Sequence, residues 1–264
     1  MLVLVLIGIL AGLTTVLFGF GGGFVTVPVI VWADGALGAA APAVAVATSA
    51  VVMVVNAAAA TAATSRATLA HLRSAVPLVA LLGCGGALGA GLARLAPPQL
   101  TTWGFVGYLV ITIADVLLRP GFLRRPAVID GPRREFAIPA GLGIPIGATA
   151  SFLGVGGSVM TVPLLRRGGQ PMSVATALAN PLTLAISVPA LAVFLTSTAA
   201  AVASEPYFAG AVDCRAAAAL LAGALPLVMW LRRRPPRLPD TVHAWAYVGL
   251  LVVSAVAMLT AGAS

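Results

Sequence analysis

Two glycine runs hold the most chemical potential in this 264-residue chain: Gly19-Phe20-Gly21-Gly22-Gly23 and Gly154-Val155-Gly156-Gly157-Ser158. Both lie inside long apolar stretches. Glycine admits the backbone conformations that break a helix and lets a ligand approach the main chain. Past each break a second helix begins, and its first N–H groups lack intrahelical acceptors and carry about half a positive charge. Such an end attracts anions without a charged side chain. Hydroxyl and amide groups gather at the same places, with Thr14, Thr26, Ser158 and Thr161 beside the breaks and Thr48, Ser49, Thr176 and Asn180 on the helices that follow. They can bind oxyanion oxygens while avoiding the cost of a charge in hydrocarbon. The expected substrate-binding set is therefore Gly19, Gly21, Gly22, Gly23, Thr26, Thr48, Ser49, Gly154, Gly156, Gly157, Ser158, Thr161, Thr176 and Asn180. The competing account of the serines and threonines is small-residue helix packing, which also suits Gly83-Cys84-Gly85-Gly86 and Gly89-Ala90-Gly91.

The two runs are copies. Aligned without a gap, Gly8–Pro28 and Gly143–Pro163 share ten of 21 residues, among them Gly12/Gly147, Thr14/Thr149, Thr26/Thr161 and Pro28/Pro163. Val46-Ala47-Thr48 then matches Val174-Ala175-Thr176, and Arg73 matches Arg215. The chain reads as a duplication, residues 1–118 and 136–264, joined by an arginine-rich segment 119–135. A weak internal repeat of this kind is typical of secondary transporters.

The elements that must position these residues are membrane helices. Charged residues make up 8% of the chain and hydrophobic ones 60%, with a mean hydropathy of +1.07, whereas a soluble domain carries about 25% charged residues. The 15 basic residues are all arginine and give a net charge of +8. They occur in short clusters between apolar runs, so they read as topology anchors and not as a nucleic-acid surface. Met1–Gly8 lacks the basic start of a secretory signal, so no cleavage is expected.

Charge-free runs give eight apolar segments: 1–33, 35–65, 74–93, 95–114, 136–165, 168–204, 216–231 and 241–264. If all eight cross the bilayer, the arginines divide eight against seven, which contradicts the positive-inside rule. If the two glycine-broken segments turn back as hairpins, 13 arginines fall on one side and only Arg94 and Arg215 on the other. The expected architecture is thus all-α and polytopic, with six crossings and two re-entrant hairpins. Three crossings per half is an odd number, so the halves are inverted. Both termini then lie outside the cytoplasm, and the 119–135 loop lies inside.

Other candidates are weaker. Asp115 stands four residues before Arg119, the spacing of a local ion pair. His71 and Asp213 occupy matching positions near helix ends and His243 opens the last span, where interfacial solvation is expected. Cys84 and Cys214 form no metal or disulfide pattern. No GxGxxG or Walker motif occurs, and no nucleophile–base pair lies at depth, so an enzyme is not expected. The expected partners are a small anion and the lipid bilayer, with no cofactor and with H+ or Na+ as coupling ion. A passive anion channel is the alternative.

With those residues in view, the chain resembles the TauE/SafE family of sulfite and organosulfonate exporters. The likeness rests on the duplicated Gly-x-Gly-Gly-Gly-x(4)-Pro pattern at Gly19–Pro28 and, with Ser158 as its last small residue, Gly154–Pro163. The Ala-Thr pairs Ala47-Thr48 and Ala175-Thr176 and the segment Val212-Asp213-Cys214-Arg215 extend it. The resemblance implies a permease for small sulfur-containing anions, working by alternating access on an ion gradient. The topology has a direct test: a reporter fused within Arg119–Glu135 reads cytoplasmic and one at the C-terminus reads periplasmic, and both on one side would refute it.

Overall fold

A computed structural model describes residues 1–33, 35–123, 138–196, 206–233 and 238–263. In chain order the helices are α1 (Leu2–Phe18), α2 (Gly23–Ala33), α3 (Ala41–Ala62), α4 (Arg66–Leu69), α5 (Val76–Leu95), α6 (Pro98–Leu118), α7 (Gly143–Leu153), α8 (Ser158–Arg167), α9 (Met172–Leu195), α10 (Cys214–Arg233) and α11 (Asp240–Ala263). Short 3-10 segments precede α3, α5 and α7. A two-residue hairpin, β1 (Phe208–Ala209) and β2 (Val212–Asp213), pairs antiparallel ahead of α10.

Six helical segments are long and apolar enough to cross a bilayer: Leu37–Ala62, Arg66–Leu95, Pro98–Leu118, Met172–Leu195, Cys214–Arg233 and Asp240–Thr260. The glycine-rich stretches instead form two pairs of shorter helices, α1 with α2 and α7 with α8. At 1.5 Å per residue, neither the 11-residue α2 nor the 10-residue α8 reaches across the roughly 30 Å of hydrocarbon. The chain is therefore a multi-pass helical membrane protein. Most of the 119–135 segment, with Arg124, Arg125, Arg133 and Arg134, lies outside the described residues, as do Arg234 and Arg237. All four tryptophans, Trp32, Trp103, Trp230 and Trp245, are exposed and sit within two turns of a helix end, where indole rings meet the lipid headgroups.

Local sequence explains the boundaries. Proline in the first turn opens α3, α5 and α6, where its missing N–H has no partner to lose. Ser65 starts α4 by accepting a hydrogen bond from Thr68 N at 3.2 Å.

Glycine stripes set the packing. A Cβ at Gly8 would overlap Leu220 O, and one at Gly12 would stand 2.7 Å from Ala224 O, so α1 and α10 touch backbone to backbone. A Cβ at Gly143 would meet Leu78 O at 3.0 Å, and one at Gly147 would overlap Leu82 O on α5. In both contacts residue numbers rise together, so α1 runs parallel to α10 and α7 parallel to α5. The contacts also match across the duplication, because 143 − 8 equals 147 − 12 and 220 − 78 equals 224 − 82. Each broken pair thus packs on a full-length helix of the other half.

Gly89 and Gly91 separate packing from propensity. A Cβ at Gly89 would overlap Ala148 O, whereas one at Gly91 would have nothing within 4 Å. Gly89→Ala is expected to destabilise by about 1–3 kcal/mol through overpacking. Gly91→Ala is expected to stabilise by up to about 1 kcal/mol through helix propensity. Unfolding of the two purified variants in detergent checks the opposite signs.

Candidate functional site

The two breaks share their first steps and differ at the last glycine, where Gly22 has φ 95° and Gly157 φ -74°. Helix α1 ends at Gly19 (φ 74°, ψ 17°) and α7 at Gly154 (φ 68°, ψ 24°), both left-handed, the conformation in which glycine terminates helices. Gly21 and Gly156 repeat the positive φ two residues later, at 65° and 71°. The next helices then start afresh: Thr26 N–H bonds Gly22 O at 3.1 Å, and Thr161 N–H bonds Gly157 O at 2.9 Å. Gly157 brings no side-chain cap to α8, so its first-turn amides keep their polarity for what lies ahead.

The two tips touch. A Cβ at Gly23 would stand 2.5 Å from Gly154 O, and one at Gly156 would stand 3.3 Å from Phe20 O. Thr183 Cγ2 of α9 lies 3.1 Å from the Cβ positions of both Gly21 and Gly156, and Met53 of α3 borders the same two glycines. Gly19 abuts Thr176 O of the opposite half, while Ser49 Oγ lies 3.1 Å from Gly154 O and 2.7 Å from Val46 O. A gap too narrow for a water molecule adjoins the second tip, lined mainly by apolar side chains such as Val46, Met53, Ile186 and Phe194, with Ser151 and Ser187.

The polar residues divide into two groups. Several hydroxyls bond the backbone: Thr14 to Ala11 O, Thr26 to Gly23 O and Thr176 to Ser173 O. Thr48 Oγ1 accepts from Asp213 N at 3.0 Å and so faces the β hairpin. A second group is fully or almost fully buried with no hydrogen-bond partner among the described residues: Ser158 Oγ, Thr161 Oγ1, Thr183 Oγ1, Ser187 Oγ, Ser151 Oγ and both polar atoms of Asn56. Asn180 belongs to both, since its Nδ2 donates to Thr176 O at 3.1 Å while Oδ1 is unpaired. Asn56 Nδ2 stands 3.0 Å from the Cβ position of Gly22.

Met53, Asn56, Ser151, Thr183 and Ser187 were not among the residues expected from sequence. A signal existed for two of them: Asn56 lies eight residues after Thr48, and Thr183 seven after Thr176, so each shares a helix face with a motif residue. No group of three or more metal-ligating side chains occurs among the described residues.

The last helix holds both broken pairs. Leu17 sits in the final turn of α1, where carbonyls lose their helical partners, and His243 Nε2 of α11 hydrogen-bonds Leu17 O. Pro163 lacks the N–H that would bond Val159 O, and Tyr247 of α11 donates its hydroxyl to that carbonyl at 2.9 Å. Residues four apart on one helix thus satisfy one orphaned carbonyl from each broken pair. Contrary to interfacial solvation, His243 is only 7% exposed. His71 is exposed, with Nδ1 3.0 Å from Thr68 O, and Asp213 caps α10 through the N–H groups of Arg215 and Ala216.

Two ion pairs close the far end of α8. Arg166, fully buried, pairs with Asp240 of α11 and donates from Nε to Phe122 O at 2.9 Å. Arg167 reaches Asp115 of α6 at 2.8 Å, and Asp115 also pairs with Arg119 at 3.2 Å, the expected local bridge.

Six candidate spans and two broken helix pairs, whose tips meet without a charged side chain among the described residues, define the class: a multi-pass helical membrane protein. Residues 4–258 match the family model "Sulfite exporter TauE/SafE", nearly the whole chain, and the protein belongs to that family. No curated protein and no solved structure matches it.

The ion pair on α8 has a measurable weight. Asp240→Leu leaves the buried Arg166 guanidinium without its carboxylate and is expected to cost on the order of 3 kcal/mol. Arg166→Met combined with Asp240→Leu recovers much of that loss, because no uncompensated charge remains; unfolding in detergent compares the single and the double variant.

Proposed function

We propose that the protein is a secondary transporter for small sulfur-containing anions such as sulfite or organosulfonates, working in a bacterial cytoplasmic membrane. The anion binds between the N-termini of α2 and α8, and two inverted halves alternate its access to either side. The observation that carries this reading is the set of buried, unpartnered hydroxyl and amide groups around those helix ends. Unsatisfied polar groups cost about 1–3 kcal/mol each, and an oxyanion offers acceptor oxygens to the hydroxyls of this set and to Asn56 Nδ2. Family membership supports the substrate class. The matched packing of α1 on α10 and α7 on α5 supports exchange-related halves, with Gly19, Gly21, Gly22 and Gly23 at one end of the site and Gly154, Gly156 and Gly157 at the other.

Contact between the tips argues against a standing pore, because a passive channel needs an open path through this point. Transport against an anion gradient in proteoliposomes, driven by an imposed H+ or Na+ gradient, separates the two mechanisms.

The polar set also gives the reading an unusual signature. Thr183→Val and Ser187→Ala remove hydroxyls that have no partner in the folded protein, so stability is expected to hold or rise. Each removes a hydrogen bond to a charged ligand, worth about 1.5–3 kcal/mol, so sulfite affinity is expected to fall about tenfold or more. Titration of sulfite, sulfoacetate, taurine and sulfate against the purified parent and both variants measures this. Unchanged affinity in stably folded variants would remove the site from between the tips.

A further inference from the structure

Among the described residues the site between the tips contains no titratable side chain, so an ion-driven cycle needs its proton elsewhere. The imidazole of His243 is buried, one turn into α11, and tied to Leu17 O immediately before the first tip. Its ring packs against Phe18 at 5.5 Å between centroids. Asp240 is three residues earlier on the same helix face. That carboxylate is shared: one oxygen pairs with Arg166 at the end of α8, and the other accepts Met172 N at the start of α9 at 2.9 Å.

Among the described residues, the charged and titratable groups on the elements packed around His243 are few. Asp240 and Tyr247 lie on its own helix, Arg166 and Arg167 come from α8, and Tyr108 and Asp115 from α6; α1, α2 and α9 present no titratable side chain. Asp115 is engaged by Arg167 and Arg119, and Tyr247 by Val159 O. Among the described residues, Asp240 is the carboxylate that shares the His243 face of α11 and also pairs with Arg166.

We propose that His243 is a proton-binding site that couples the two broken helix pairs. Neutral His243 donates from Nε2 to Leu17 O and leaves Asp240 to Arg166, so α11 holds the second pair through an ion pair. A proton on Nδ1 makes the imidazole a cation. It then strengthens the bond to Leu17 O, at the negative end of the α1 dipole, and draws Asp240 from Arg166. The grip of α11 shifts from the end of α8 to the end of α1. No bond other than N–H forms or breaks, and the proton returns to water when the cycle reverses. The use of this shift in transport rests on the function proposed above; the proton site itself does not.

The discriminating variant is His243→Gln, whose amide can still donate to Leu17 O but does not titrate. Tyr247→Phe is the control that weakens the other tie and leaves the imidazole. Amide hydrogen exchange of residues 14–24 in the purified full-length protein, corrected for intrinsic pH dependence, is followed between about pH 5 and 8, where imidazoles titrate. The parent and Tyr247→Phe are expected to show a one-proton change in protection, about tenfold if the two grips differ by one unit in proton affinity, and His243→Gln none. In proteoliposomes the parent's sulfite flux is expected to respond to an imposed pH gradient, while His243→Gln binds sulfite normally and loses about nine-tenths of that response. A parent without the transition, or a His243→Gln variant that keeps it or keeps the gradient response, overturns the proton site. A parent that shows the transition but neither binds nor moves any sulfur oxyanion overturns the transport reading alone and leaves the proton site standing.

Discussion

A helix that stops inside an apolar slab leaves peptide groups that lipid cannot satisfy, and the rest of this structure follows from meeting that demand twice. Lipid-exposed irregular backbone is not tolerated at membrane depth, so each break must be enclosed by protein. The enclosure here is reciprocal. The carbonyl of Gly154 faces the start of α2, the carbonyl of Phe20 faces Gly156, and Ser49, Met53 and Thr183 close the sides. Where the break itself provides no partner, α11 does: His243 takes the last-turn carbonyl of α1, and Tyr247 takes the carbonyl that Pro163 releases in α8. The proline that closes each glycine motif thereby acquires a physical role, because it frees a carbonyl four residues back, Phe24 O in α2 and Val159 O in α8.

Close packing makes the enclosure rigid. Without a hydrophobic drive between helices in lipid, association depends on backbones approaching through small residues, and the faces of α1, α5, α7 and α10 are lined with them. Gly223 completes this on α10, where a Cβ would overlap Val5 O. The aromatic cluster of Phe18, Phe20, Phe24, Phe105, Phe122 and Tyr247 then fills the space between α11 and the first tip. Charge is kept at the rim: Arg166 and Arg167 each find a carboxylate on a different long helix, Asp240 on α11 and Asp115 on α6. The tips are left with polarity that comes from backbone, hydroxyl and amide alone.

The helices and the breaks were legible because they depend on local physics. Hydropathy runs mark spans, and glycine repeated at the middle of an over-long run marks a break wherever the fold places it. The Asp115–Arg119 bridge was legible for the same reason, being a contact within one helix. What escaped is set by neighbours distant in sequence. Thr48 looks equivalent to the other motif hydroxyls, yet it faces Asp213 N across 165 residues, while Asn56 and Thr183 face the tips with no motif to announce them. Arginine clusters between apolar runs read as loop charges, but Arg166 lies within α8 and is buried against Asp240. His243 opens a span, where solvation is expected, yet it is buried against Leu17 O, a partner 226 residues away.

The exchange of partners between the halves also imposes an order on biogenesis. A chain made from its N-terminus produces α1 first, but the glycine face of α1 packs on α10, more than 200 residues later. Helix α7, by contrast, emerges after α5 is already in place. The second broken pair can dock as it is synthesised, whereas the first must wait, its early stop unanswered, until α10 and α11 arrive. Contacts of such long sequence separation form late and leave apolar and polar backbone surfaces exposed in the meantime. Two segments nearly identical in motif therefore have opposite histories in the nascent chain, and the half that is made first is the half completed last.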